Sequence, residues 1–159
     1  MADTSMFQQA IDFINSEADL LDHKAYADWL GLWERDGIYV VPVDIHESDF
    51  ANTLNFAYDD HAMREMRVAR LESGESVSGE AQEGTVRSLS RFRLLEESDQ
   101  EIRLRCAMFL SEVRLAKPLL YPANVEYRLT KTRAGLRLHT KVVRLINAGH
   151  HLNTVAFIF

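Results

Sequence analysis

The sequence predicts an α+β domain in which N-terminal helices pack in the concave face of a strongly curved antiparallel sheet. In the first part of the chain, apolar residues recur at offsets of three and four, which is typical of amphipathic helices. From about residue 86, apolar and polar residues alternate, which is typical of antiparallel strands with one buried face. The alternation slips by one residue at 110–113 and again at 142–143. Such slips indicate β-bulges, which bend a sheet.

Two helices are predicted before the first strand. Asp3 or Thr4 is expected to cap the first helix, and Asp22 is expected to cap the second. The second helix covers residues 26–33. The apolar stripe of the first helix consists of Phe7, Ile11, Ile14, Ala18 and Leu21.

A turn, a strand and a loop are predicted next. The dipeptide Asp36-Gly37 is typical of a turn. Residues 38–43 are rich in β-branched side chains and predict a strand, with Pro42 near its end or on a sheet edge. Residues 44–58 show no clear period, so we expect a loop there.

The rest of the chain is predicted to be one helix followed by strands. The helix runs from about residue 60 to 71, with Asp59 or Asp60 as its N-cap and Gly74 at its end. Residues 72–84 are polar and predict a loop. Neither an internal repeat nor an interdomain linker is visible, so residues 1–159 are expected to form a single domain. Alternating residues predict strands over 86–94, 102–110, 121–129, 136–145 and 155–159.

Composition excludes several classes of protein. The chain has 159 residues, of which 47% are hydrophobic and 26% charged, as in an ordinary globular domain. Its net charge of -6 argues against general nucleic-acid binding. Cys106 is the single cysteine, so the chain cannot supply the thiolates of an iron–sulfur cluster or a cysteine-rich zinc site. With no signal peptide and no apolar stretch near the ~20 residues that span a bilayer, we expect a cytoplasmic protein that does not bind membranes.

The charge is unevenly distributed along the chain. Residues 1–80 contain 17 acidic and 5 basic residues, whereas residues 81–159 contain 7 acidic and 13 basic residues. On the predicted strands, Arg87, Arg91 and Arg93 share one face, and Arg105 lies on the next strand. One interpretation is a solvated sheet face with cross-strand ion pairs. The other is a protein interface, because arginine is enriched at interfaces and lysine is depleted. Two oppositely charged faces suit a subunit that packs against copies of itself and a partner.

One cluster of titratable residues lies at the third helix. His61 and Glu65 are four residues apart and therefore share a helix face, close to Asp59 and Asp60. This arrangement suits a metal site or an acid–base pair. It also suits a helix cap with an ordinary surface ion pair. The adjacent His150 and His151 would point to opposite faces of a strand, so they cannot chelate one ion together.

A second candidate site lies between the predicted helices and sheet. Tyr26, Asp28, Tyr39 and His61 would line a pocket suited to proton transfer, as in a stand-alone dehydratase or isomerase. The alternative is that the aromatic residues form the core and Asp28 faces water. A small-molecule binding module with the same fold is a further possibility, because one fold supports many functions.

Two blocks of sequence resemble the small (beta) subunits of bacterial aromatic-ring-hydroxylating dioxygenases. The first follows the pattern E-x-x-LLD-x-x-x-Y-x-x-WL-x-L-x-x-x-D-x-x-Y-x-x-P and is carried by Glu17, Leu20, Leu21, Asp22, Tyr26, Trp29, Leu30, Leu32, Asp36, Tyr39 and Pro42. The second is YDDHAMREMRVARLESGES, in which the matching residues are Tyr58, Asp59, Asp60, Arg67, Val68, Arg70, Leu71, Ser73 and Gly74.

The resemblance implies a cystatin-like cone, also called the nuclear-transport-factor-two-like or SnoaL-like fold. It implies a non-catalytic structural subunit of an oxidoreductase that adds both atoms of O2 to an aromatic ring. The Rieske cluster and the mononuclear iron are then expected on the partner alpha subunit, with no cofactor on this chain. A homotrimer of beta subunits within a hexamer of three alpha and three beta is expected. The expected interface residues are Tyr58, Asp59, Asp60, Arg67, Arg70, Arg87, Arg91 and Arg105.

Overall fold

Three helices and a six-stranded sheet make up the computed structural model, which describes residues 4–73, 82–146 and 157–159. The helices are α1 (Met6–Asp22), α2 (Tyr26–Gly31) and α3 (His61–Glu72), and a short 3-10 helix covers Phe50–Asn52. The strands are β1 (Trp33–Pro42), β2 (Asn55–Asp59), β3 (Gln82–Glu97), β4 (Glu101–Arg114), β5 (Lys117–Thr132) and β6 (Gly135–Leu145).

The sheet is curled and unclosed, with strand order β2-β1-β6-β5-β4-β3. Neighbouring strands are antiparallel except β1 and β6, which are parallel. The helices pack on one face, which we call the inner face, and the other is the outer face. Alternate residues of β4 and β5 are buried on the inner face, as the period of two predicts. The predicted α+β fold with a curved sheet is confirmed.

The predicted helices are present, but two of their caps differ. The side chain of Ser5, rather than Asp3 or Thr4, accepts a hydrogen bond from the Gln8 amide at 3.2 Å and caps α1. The N-cap of α2 is Ala25, because the carboxylate of Asp22 is bound to β3 instead. For α3 the prediction is correct, since Asp60 accepts from the Met63 amide at 3.0 Å. The predicted end at Gly74 lies outside the described residues.

The predicted turn at Asp36-Gly37 is wrong, because β1 continues through both residues. A Cβ atom on Gly37 would lie 2.7 Å from the carbonyl oxygen of His139. The glycine is therefore required by the close approach of β1 and β6, not by a change of chain direction. The predicted loop at residues 44–58 also contains the 3-10 helix and β2, a five-residue edge strand too short for its period to stand out.

The bulges occur, but not at the predicted positions. In β6 the extra residue is His139, because Arg128 pairs with Thr140 while Leu129 pairs with Leu138. Val142 and Val143 are both buried in regular pairing, since Phe50 covers the outer side of β6.

Near residues 110–113 the pairing of β4 with β5 is continuous, and the register shifts lie in β3 instead. The predicted last strand falls partly outside the described residues. Of that segment, residues 157–159 are described; they are buried but not in a strand.

Candidate functional site

The segment of residues 58–70 contains both exposed and buried candidates for a subunit interface. Tyr58 is 38% exposed on β2, whereas Asp59 is only 1% exposed. Arg67 donates to both carboxylate oxygens of Asp59, at 2.5 and 3.0 Å, and thereby forms a bidentate ion pair. Asp60 caps α3, and Arg70 is exposed on the same helix. Within the single chain, Asp59 is therefore a structural residue rather than an accessible contact.

Arg64 is a buried residue of this segment that the sequence analysis missed. Its guanidinium group donates to the carbonyl oxygens of Gly37, Asp59 and Glu34, the last at 3.2 Å. The guanidinium carbon lies 4.3 Å from the ring centroid of Trp33, within cation–π range. Arg64 thus joins α3 to β1. The sequence pattern could have indicated that Arg64 is buried, because Arg64 and the buried Val68 are four residues apart on one helix face.

His61 and Glu65 form an ordinary ion pair on the surface of α3, with 3.3 Å between Nε2 and Oε1. Both side chains are largely exposed. In the part of the chain that the structure describes, no group of three or more His, Cys, Asp or Glu side chains is placed to hold a metal ion. The predicted pair His150 and His151 lies outside the described residues.

Arg87 lies on the inner face, so its predicted place beside Arg91 and Arg93 is wrong. It pairs with Leu110 of β4 on the inner face, whereas Arg93 pairs with Arg105 on the outer face. The register shift between Ser90 and Arg93 reverses the alternation between them. The guanidinium of Arg87 is buried and donates to the carboxylate of Asp22 and the carbonyl oxygen of Ile158. A strict period of two cannot detect this reversal.

Arg91, Arg93 and Arg105 are exposed. Other arginines of β4, β5 and β6 bind carboxylates, and these ion pairs are Arg103–Glu96, Arg128–Glu101 and Arg144–Glu126. A groove of about 340 Å³ crosses the outer face of the sheet. Its lining includes Phe50, Leu95, Arg103, Glu126 and Val142. The outer face therefore combines ion pairs, apolar side chains, and arginines that form no ion pair with a described residue.

A buried ion pair lies between α1 and the inner face of the sheet. The Nζ atom of Lys141 donates to Oε1 of Glu17 at 2.7 Å, and each side chain is 1% exposed. Nε1 of Trp29 donates to the same oxygen at 2.9 Å. Burial lowers the pKa of Lys141, although the nearby Glu17 carboxylate opposes that change, and burial raises the pKa of Tyr127. Glu17 was detectable from sequence, since it shares the buried stripe of α1 with Ile14 and Leu21.

The four residues proposed for a catalytic pocket do not converge. Tyr26 and Tyr39 are buried in the core, while Asp28 is exposed on α2 and His61 is on the surface of α3. The hydroxyl of Tyr39 accepts a hydrogen bond from the Phe159 amide at 3.0 Å. The alternative interpretation, in which the aromatic residues form the core and Asp28 faces water, matches these positions.

Aromatic side chains fill the inner side of the sheet. Trp29 packs edge-to-face on Trp33 and Tyr39, with ring centroids 5.5 and 6.3 Å apart. Tyr121 makes the same type of contact with Phe157 and Phe159. A small cavity of about 80 Å³ lies beside Tyr39, Arg67 and the last aromatic residues. The chain's own aromatic side chains thus occupy much of the described interior, around this cavity.

The curled sheet around three helices defines a cone of the cystatin-like class. An NTF2-like protein with a cystatin-like fold from Novosphingobium aromaticivorans superposes with a TM-score of 0.63, at 14% identity over 96% of this chain and 88% of the other. Among the residues that the structure describes, no helix is long and apolar enough to cross a membrane. The fold therefore agrees with the one that the sequence resemblance implied.

Within that class, the chain belongs to the family of ring hydroxylating beta subunits, whose model matches residues 16–149. The small oxygenase component of the p-cumate 2,3-dioxygenase system of Pseudomonas putida is 30% identical over 82% of this chain and 73% of that protein. The beta subunit of the benzoate 1,2-dioxygenase from Burkholderia mallei superposes with a TM-score of 0.77. It is 18% identical, and the match covers 98% of this chain and 100% of the other. The resemblance stated from the sequence is confirmed.

Proposed function

We propose that this chain is the structural beta subunit of a Rieske-type aromatic-ring dioxygenase, in which it supports an iron-bearing alpha subunit. The family match over residues 16–149 is the observation that carries this proposal. In such an enzyme the Rieske cluster and the mononuclear iron belong to the alpha subunit. The beta subunits form a homotrimer within a hexamer of three alpha and three beta, in the cytoplasm.

The packed interior supports assembly rather than catalysis by this chain. A stand-alone dehydratase or isomerase needs an enclosed pocket with a positioned acid or base. Here Trp29 is 0% exposed and Trp33 is 3% exposed inside the curved sheet. The carboxylate that accepts the hydrogen bond from Trp29, that of Glu17, is bound to Lys141. The observation that would favour a stand-alone enzyme is therefore missing from the described interior.

The edge of the sheet at β2 is our candidate surface for the alpha subunit. Among the described residues, β2 is the last strand of the sheet, so one side of its backbone has no neighbouring strand there. Large exposed apolar side chains surround it, and clusters of such side chains mark interaction surfaces. We call this the β2 edge surface, and it consists of Leu54, Phe56 and Tyr58 with Met63 and Met66 of α3.

Co-expression with the genes that flank this one tests the proposal. The tagged chain is expected to co-purify with a large subunit that shows the absorption of a Rieske cluster. Met66→Glu is expected to abolish co-purification, because a carboxylate would be buried in an apolar contact. Leu115→Glu is the control, since Leu115 is 65% exposed in the β4–β5 turn, away from this surface. A chain that co-purifies with no large subunit, or that catalyses a reaction alone, would contradict the proposed function.

A further inference from the structure

Three exposed arginines gather at a bulge near the β3 edge of the sheet, and two of them, Arg93 and Arg105, are on the outer face. Ser90 of β3 pairs with Ala107 of β4, and Arg93 pairs with Arg105. Arg91 and Phe92 therefore both lie opposite one residue of β4, Cys106. Arg91 has a φ angle of 56°, in the left-handed region that residues other than glycine rarely adopt. Strained backbone of this kind often occurs at functional sites. We call Arg91, Arg93 and Arg105 the arginine cluster.

The arginine cluster has no compensating carboxylate within the described chain. Arg93 and Arg105 lie directly opposite each other across the β3–β4 ladder, and like charges in that position destabilise a sheet. Glu126 lies opposite Arg105 on β5, but its ion pair is with Arg144. No cluster member forms an ion pair with a residue that the structure describes. The ion pairs that described residues form with one another all involve other side chains. They are His23–Asp19, His61–Glu65, Arg67–Asp59, Arg87–Asp22, Arg103–Glu96, Arg114–Glu112, Arg128–Glu101, Lys131–Glu97, Arg137–Glu34, His139–Asp36, Lys141–Glu17 and Arg144–Glu126.

The first half of the chain has the opposite surplus. Acidic residues outnumber basic ones there by 17 to 5. Six of these carboxylates are exposed and form no ion pair with a described residue. They are Asp12, Asp28, Asp44, Asp49, Asp60 and Glu72.

We propose that the arginine cluster binds exposed carboxylates in the first half of a neighbouring copy, so that copies associate head to tail. This inference rests on the proposed homotrimer and assigns a surface to it. The two surfaces are different, so the contact is heterologous and closes into a ring when the rotation between copies allows. Opposite charge on the two surfaces would also steer the encounter of copies.

Apolar side chains are also exposed on the outer face, on β3, β4 and β5. Phe109 pairs with Ser88, and Ser111 pairs with both Val86 and Leu120, so these apolar residues are neighbours. Val86 is 67% exposed, Leu120 is 55% exposed and Phe109 is 47% exposed. An apolar centre with arginines beside it is the composition of protein interfaces.

Charge reversal tests the proposal on the full-length chain, alone and co-expressed with the large subunit. Arg93→Glu with Arg105→Glu keeps two like charges opposite each other on β3 and β4, but the second change also places a carboxylate opposite Glu126 of β5, so the melting temperature of the dissociated chain is measured beside its assembly. We expect the concentration at half-assembly, measured by sedimentation, to rise at least about tenfold. Arg133→Glu, an exposed arginine in the β5–β6 turn, is the control and should leave assembly unchanged. Wild-type assembly should weaken as salt is raised.

The single variant Arg93→Glu separates an interface role from a structural one. It places opposite charges across the β3–β4 ladder, so the melting temperature of the dissociated chain should rise slightly while assembly weakens.

Several outcomes overturn the proposal. Assembly of the double arginine variant at wild-type concentrations would do so, as would a trimer that stays intact while only the large subunit is lost. In the latter case the cluster faces the large subunit and the proposed function stands. A wild-type chain that associates neither with itself nor with the large subunit would instead contradict the proposed function.

Discussion

The two faces of the sheet differ in the burial of their charged side chains. On the inner face, Glu17 and Lys141 are each 1% exposed and hold each other at 2.7 Å. On the outer face, Arg103 and Glu96 are 45% and 58% exposed, and Arg105 has no ion pair among the described residues. A buried charge requires a fixed partner because it has lost its hydration, whereas a solvated charge does not. The inner charges therefore determine how the chain folds, and the outer charges remain available to other subunits.

The largest effect is expected from breaking the inner ion pair. Lys141→Met should lower the free energy of unfolding by about 3–5 kcal/mol, because the Glu17 carboxylate stays buried without its cation. Urea unfolding, followed by tryptophan fluorescence at constant protein concentration, measures the loss. Lys141→Met combined with Glu17→Gln removes both charges and keeps an acceptor for Trp29, so it should recover most of the loss. Equal destabilisation by the single and double variants would show that the charges are not coupled.

Alkaline pH should weaken the same interior. Burial raises the pKa of Cys106 and of Tyr121 to about 12, from ordinary values of 9.0 and 10.0. Because the folded state keeps protons that the unfolded state releases, their contribution to stability is fully present below about pH 9 and is lost as pH rises towards 12. Burial also raises the pKa values of Tyr39 and Tyr127, which adds to the loss. The lowered pKa of Lys141 has the opposite effect, because it makes stability rise with pH, but it is one group against four.

Thermal unfolding measured between pH 7 and 11.5 checks this prediction. The melting temperature should fall above pH 9, and Cys106→Ala should remove the part of the fall that begins there. A melting temperature that stays constant up to pH 11 would contradict the buried, protonated state of these groups.

A smaller effect is expected at Gly37 of β1, where β1 and β6 approach each other closely. Gly37→Ala should cost about 1–3 kcal/mol of unfolding free energy, because the new Cβ would meet the backbone of His139 at 2.7 Å and the Trp33 ring at 2.8 Å. Gly31→Ala is the matched control. It has no atom within 4 Å of its Cβ position and lies at the end of α2, so it should be neutral or stabilising. Similar effects of the two substitutions on urea unfolding would refute the close approach.

The smallest effect is expected on the outer face. Arg103→Ala should change the free energy of unfolding by no more than about 1 kcal/mol, since its ion pair with Glu96 is solvated and screened by salt. Chemical denaturation at low and high salt measures this. A loss comparable to that of Lys141→Met would remove the distinction between the two faces.

Local sequence patterns were sufficient for features that depend on near neighbours. The stripe of α1 predicted a helix at the right place, and Asp60 was correctly named as the cap of α3. The alternation in β4 and β5 predicted which side chains are buried. Patterns failed where a distant strand intervenes, as at Gly37, which looks like part of a turn but lies within β1.

The candidate surface residues likewise divide into those that local spacing placed correctly and those that depend on distant contacts. Arg93 and Arg105 are on the outer face, as the alternation predicted, but Arg87 is not, and Arg91 lies in the bulge opposite Cys106. Asp59 was expected among the interface residues, yet it is buried and pairs with Arg67. Neither outcome is readable from local spacing, because one depends on a bulge and the other on the packing of α3 against β1 and β2.

The sequence by itself determined the class of fold, the family and the absence of thiolates for an iron–sulfur cluster, since composition, period and motif spacing are local properties. Only the tertiary structure decided that Glu17 and Lys141, 124 residues apart, meet inside the curved sheet. It also decided that β1 pairs parallel with β6, and which arginines form no ion pair with a described residue. The physical reason is that burial and pairing depend on bulges and on contacts between distant strands.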